Sequence, residues 1–103
     1  PPVLDLVHLG LGADGHTASL APDSPVLDEV CAEVAVTGTY LGHRRMTITY
    51  PAINRARQVL WLVSGIDKRA ALQRLMRGDF SIPAGRVDQS RAVVLADRAA
   101  AGK

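Results

Sequence analysis

Gly10-Leu11-Gly12-Ala13-Asp14-Gly15-His16-Thr17-Ala18-Ser19-Leu20 follows directly on the apolar run from Val3 to Leu9. A hydrophobic run that ends in a glycine-built turn reads as a strand entering a loop. In open α/β sheets the carboxyl ends of strands are where ligands bind. The turn carries a carboxylate, Asp14, and an imidazole, His16. Imidazole is the side chain best suited to moving protons near neutral pH, and Asp14 can orient it or hold its charged form. The plainer alternative is that Asp14 caps a short helix from His16 to Leu20 and His16 lies on the surface. Glycines at 10, 12 and 15 allow positive φ and close approach of the backbone to a ligand. The amides opening the His16 helix would form a donor-rich rim for an anion or carbonyl.

The glycines also spell G-x-G-x-x-G after a strand, the dinucleotide fingerprint. That motif needs a long helix after the third glycine and an acid about 20 positions further on. Pro22 and Pro25 cut the helix short, and Val34-Ala35-Val36 runs into Thr37-Gly38-Thr39 without an acid. The dinucleotide reading is therefore set aside.

Away from this turn, apolar runs alternate with helical patterns as in βαβ units. A loop broken by prolines reaches Asp28, and a weak strand is expected around Glu33 to Thr37. Arg45 to Tyr50 alternates, with Met46, Ile48 and Tyr50 on one face and Arg45, Thr47 and Thr49 on the other. One of these faces belongs to the core, and the polar one is either solvated or lines a site. Pro51 ends the strand. Gln58 to Val63 is apolar without alternation, which fits a central parallel strand covered on both faces. It passes through Ser64-Gly65 into a helix from about Asp67 to Arg77, with Ala71, Leu72, Leu75 and Met76 as the buried stripe and Gly78 as the stop. Lys68, a cation in the first turn, is mildly unfavourable there and needs solvent or an anion. Ala92 to Ala96 reads as a last strand, followed by a helix from Asp97. The expected fold class is α/β, with a mostly parallel Rossmann-like sheet flanked by helices. His8 is read as a core or interface group and His43 as solvated.

Asp5-Leu6-Val7-His8-Leu9-Gly10-Leu11-Gly12-Ala13-Asp14-Gly15-His16-Thr17-Ala18-Ser19-Leu20-Ala21-Pro22 closely resembles the signature of the 6-phosphogluconolactonase family. Arg45-Met46-Thr47-Ile48-Thr49 is similar to that family's R-[IM]-T-[LI]-T strand, and Pro51 to Arg57 to the segment after it. Val63-Ser64-Gly65-Ile66-Asp67-Lys68 resembles its G-x-x-K turn, and Ile82 to Val87 its closing P-A-x-x-V. These pieces lie in family order over nearly the whole chain. The resemblance implies the C-terminal part of a sugar-phosphate isomerase/lactonase-type fold. It also implies hydrolysis of 6-phospho-D-glucono-1,5-lactone to 6-phosphogluconate in the pentose phosphate pathway. His16 would be the general base and Asp14 its orienter. Lys68 and Arg45 would hold the phosphate, and Gly12 and Gly15 would lend amides to the substrate. No metal or other cofactor is expected. Glucosamine-6-phosphate deaminase shares a D-G-H turn, but it typically continues into a segment with a further catalytic acid where this chain has Thr17-Ala18-Ser19-Leu20. A third reading is an inactive half-domain acting as a binding module.

At 103 residues the chain holds one domain at most and is short for an enzyme of this kind. The family's N-terminal half, with a glycine-rich phosphate loop, has no counterpart here. Residues 1–103 are thus expected to be the C-terminal portion of a longer lactonase domain. A formal net charge of +2 and 4% aromatics argue against nucleic acid as a partner. The single cysteine, Cys31, cannot form an internal disulfide and is expected to be buried or half-buried. No apolar stretch reaches the ~18 residues of a membrane span, and a cytoplasmic location is expected. The partner implied is a phosphorylated sugar lactone. Oligomeric state is not legible in one chain.

Overall fold

In a computed structural model, described for residues 1–39 and 42–103, the chain forms an α/β layer. Its strands are β1 (Val7–Leu9), β2 (Val34–Val36), β3 (Met46–Ile48), β4 (Val59–Val63) and β5 (Ala92–Ala96). The α-helices are α1 (Tyr50–Arg55), α2 (Arg69–Met76) and α3 (Arg98–Ala101). β1, β4 and β5 make a parallel sheet with β4 in the middle, in register at Val7↔Val59↔Ala92 and Leu9↔Trp61↔Val94. β2 and β3 pair as a separate antiparallel ribbon.

β-branched and aromatic residues make β4 the best strand of the chain, and it is placed at the centre as expected. Val59, Trp61 and Val63 are buried in one core with Ile53 of α1, Ala71, Leu72 and Leu75 of α2, and Ala100 of α3. The opposite face stays open. Leu62 is 46% exposed, and Val93 and Leu95 beside it are exposed too, so the expected cover on both faces is present on one only. His8 lies on that open face, exposed and outside the core, because it pairs in register with Leu60 rather than Val59 or Trp61.

α2 begins directly from a 3-10 turn over Ile66–Lys68. It closes at Gly78 in a Schellman pattern, with the Gly78 amide donating to Leu75 O (2.9 Å) and the Asp79 amide to Arg74 O (3.0 Å). Ala71, Leu72 and Leu75 are buried as expected, while Met76 turns outward.

Three further expectations are corrected. Residues 16–20 are not helical: Thr17 and Leu20 form an isolated bridge, and Ala18 has a positive φ of 51°. The Thr17 hydroxyl donates to Gly10 O at 2.8 Å, and such side-chain bonds to backbone compete with helix formation in a segment too short to nucleate. On β3 it is Thr47 that is buried and Met46 that is 71% exposed. The Thr47 and Thr49 hydroxyls find partners inside, which removes the usual cost of burying them. Cys31 is exposed, since Glu29 folds its own carboxylate onto the Cys31 and Ala32 amides at 3.0 Å and leaves the thiol outside. These bonds hold the Glu29 carboxyl below its ordinary pKa, the Ala32 amide contributing most.

Candidate active site

Gly10 follows the C-terminal end of β1 and Ser64 the C-terminal end of β4, so two neighbouring parallel strands deliver their loops to one edge of the sheet. Between the loops lies a cleft of about 440 Å³, whose lining includes Gly10, Gly12, His16, Ala18, Leu62, Ser64 and Lys68. Asp14 carries the imidazole. Its Oδ1 is 2.6 Å from His16 Nδ1 and accepts the His16 amide at 3.0 Å. A carboxylate only accepts, so the pair fixes the tautomer with the proton on Nδ1 and the basic lone pair on Nε2. The side chains are 35% and 40% exposed, so the ring remains accessible to solvent.

Gly12 makes this geometry possible. A Cβ there would lie 2.0 Å from His16 Nδ1 and 2.8 Å from Asp14 Oδ1, closer than any real contact. Gly15, with φ of 88°, lies behind the turn, where a Cβ would strike Ile82 at 2.5 Å. Its amide donates to Gly12 O and its carbonyl accepts from Ala84 N, both at 2.9 Å.

These bonds correct part of the expected donor rim. The Gly12 amide is committed to His16 O at 2.9 Å, the Gly15 amide to Gly12 O, and the His16 amide to Asp14. Gly12 lines the cleft as a wall, whereas Gly15 lies outside its lining and packs against Ile82. Without a helix at residues 16–20, no helix-end amides gather there.

Lys68 stands half-buried at the start of α2 and on the same cleft as His16. Its loop is held by Asp97, which accepts the Gly65 amide (3.2 Å) and caps α3 through the Ala100 amide (2.8 Å). Arg45 is exposed and lies outside the lining of the cleft. Its backbone amide donates to Thr37 Oγ1 at 2.9 Å. His43 is exposed, as expected. Ser64, to which sequence reasoning assigns no role, lines the cleft as well; the signal for it is its place between the end of β4 and the lysine at the start of α2. Behind Gly15, the Tyr50 hydroxyl donates to Pro83 O at 2.5 Å, and burial pushes its pKa up to about 12, opposed weakly by Arg86. Among the described residues, no group of three or more His, Cys, Asp or Glu is placed to hold a metal ion, and no helix is long and apolar enough to cross a membrane.

The family model described as glucosamine-6-phosphate isomerases/6-phosphogluconolactonase matches residues 1–96. The chain belongs to this family. Among the family's curated members, it is 51% identical over 71 residues to a 6-phosphogluconolactonase of Synechocystis, an alignment covering 69% of this chain and 29% of that one. A 6-phosphogluconolactonase of Mycobacterium bovis is 42% identical over 107 aligned positions, covering 99% of this chain and 43% of the relative. The solved 6-phosphogluconolactonase of Trypanosoma brucei superposes with a TM-score of 0.83 at 30% identity, over 98% of this chain and 42% of that one. The parallel α/β layer is thus the family's fold. This chain spans less than half the length of these relatives.

Proposed function

We propose that these residues carry the catalytic half of a 6-phosphogluconolactonase, hydrolysing 6-phospho-D-glucono-1,5-lactone to 6-phosphogluconate for the pentose phosphate pathway. The observation that carries this reading is the Asp14–His16 pair and Lys68 meeting on one cleft from two strand ends. His16 Nε2 takes a proton from water as its oxygen attacks the lactone C1. The C1 to ring-oxygen bond then breaks, and the same nitrogen returns the proton to the departing ring oxygen. Asp14 stabilises the imidazolium between these steps. Lys68 receives the phosphate and Ser64 offers a hydroxyl beside it; Arg45 is a candidate second cation that must reach inward to take part.

The cleft adjoins the open side of the sheet, whose exposed Leu62 is among its lining residues. Residues 1–103 are accordingly proposed as the C-terminal part of a longer lactonase domain, whose remaining segment covers that face and closes the site. The reaction is an ester hydrolysis of an intrinsically reactive lactone. General-base help of ~10²–10⁴-fold, together with positioning, is enough for it.

The test is lactone hydrolysis by the intact domain and its His16→Ala variant, followed as acid release. The variant is expected to lose about 10²-fold or more in kcat while still binding the phosphorylated product. Wild-type rates in the variant, or release of ammonia from glucosamine 6-phosphate by the parent, overturn the assignment. The 103-residue chain by itself is expected to be weak or inactive.

A further inference from the structure

Beside His16 the cleft wall is formed by Ala18, whose positive φ of 51° is a conformation alanine adopts only when its surroundings impose it. Three bonds impose it. The Leu20 amide donates to Thr17 O at 2.8 Å, the Thr17 hydroxyl to Gly10 O at 2.8 Å, and the Ser19 amide to Thr47 Oγ1 at 3.1 Å. The first is internal to the turn and the second ties it to the end of β1. The third ties it to a different element, the β2–β3 ribbon.

We propose that Thr47 is a positioning residue for His16, acting through the Ser19 amide; its kinetic consequence rests on the lactonase reading above. Thr47 is 4% exposed, and its hydroxyl proton is committed to Ile48 O at 2.9 Å. The oxygen's lone pairs are therefore oriented, and one of them receives the Ser19 amide. Without that acceptor, residues 18 and 19 relax toward ordinary backbone angles and draw Thr17 with them. The adjoining His16 carbonyl holds the Gly12 amide at 2.9 Å, and Gly12 is the surface on which the imidazole lies. A shift in the turn thus reaches the ring through one hydrogen bond and the contact of Gly12 with the imidazole.

Thr49 supplies a matched control. It is also buried, two residues on and just past the end of β3, but its hydroxyl bonds to Ala32 O and Glu33 O, away from the cleft. In the intact domain, Thr47→Val is expected to lower kcat about tenfold with little change in KM and to displace the pH profile, because a misplaced base costs rate more than binding. Thr47→Ser, which keeps the oxygen, is expected to restore kcat to within about twofold. Thr49→Val is expected to lower thermal stability and leave the pH profile unchanged. In the 103-residue chain, NMR of Thr47→Val is expected to show faster exchange of the Ser19 amide and shifted His16 ring resonances, neither of which appears in Thr49→Val.

Wild-type kcat and ring resonances in Thr47→Val, or the same kinetic defect in Thr49→Val, overturn the proposal. If Thr47→Val does not fold, the serine variant decides alone: a serine protein with an unprotected Ser19 amide or a displaced His16 ring also overturns it. If the domain hydrolyses no lactone while the exchange and ring shifts appear as stated, the lactonase reading fails and the positioning role stands.

Discussion

His16 reaches Asp14 because position 12 has no side chain. A methyl group there would overlap Nδ1, and the ring would have to swing away from its carboxylate to clear it. Gly12→Ala is therefore expected to keep the fold, since the clash falls on a movable side chain at a solvent-accessible site, and to lower kcat about 10²-fold. The check is the kinetics of the intact domain alongside its melting temperature; a variant that melts normally and turns over normally removes Gly12 from the account. The Asp14–His16 partnership was legible in the sequence because residues two apart on a tight turn are bound to be neighbours. The service of Gly12 was not, because a ring folding back over the backbone follows no helical or strand period. The same holds for the amides of Gly12 and Gly15. Glycine spacing suggested donors facing a ligand, whereas the turn uses those donors to close on itself.

Among the elements, β4 and α2 were readable because a long apolar strand and a stripe of Ala71, Leu72 and Leu75 leave little choice of partner. β3 was harder. Alternation shows that a strand has two faces, but which face turns inward depends on partners elsewhere, here the Ser19 amide for Thr47 and, just past the strand, the carbonyls of Ala32 and Glu33 for Thr49. The turn over Pro83–Arg86 shows how one element supports another: Ala84 holds Gly15, and Tyr50 at the head of α1 holds Pro83. This link has a pH signature. Burial raises the Tyr50 pKa to about 12, so the folded state keeps its proton where the unfolded chain, at an ordinary value near 10, gives it up. The contribution of Tyr50 is present in full below about pH 10 and is lost as the pH rises through about 12, a difference of roughly 2–3 kcal/mol. Tyr50→Phe is expected to lower stability at neutral pH by roughly 1 kcal/mol through the lost hydrogen bond, and to flatten the decline in stability between those limits. Urea titrations at a series of alkaline pH values compare the slopes; parallel curves for the two proteins would show that Tyr50 ionises freely in the fold.

Across the whole molecule, principal extents of 39 × 33 × 18 Å describe a slab, the parallel sheet with its helices on one side and the β2–β3 ribbon as a separate pair. The unalternating run of β4 suggested cover on both faces, and the side chains agree with that suggestion better than the cover present does: Leu6, Leu62, Val93 and Leu95 all stand exposed on or beside the open face. Purely parallel sheets are stable almost only when both faces are covered. The proposed longer domain therefore predicts a reversal of sign for one substitution. Leu95→Lys places a charge on that face at a position outside the lining of the cleft. In the 103-residue chain it should be neutral or favourable, reducing self-association and dye binding by removing exposed apolar surface. In the intact domain, where the same position is covered, it should cost roughly 2 kcal/mol or more, because a leucine's burial is lost and a cation must leave water. Chemical denaturation of both proteins, each with and without the substitution, gives the comparison. Equal effects in the two would mean that Leu95 meets water in both, and the segment proposed to cover the sheet would have to lie elsewhere.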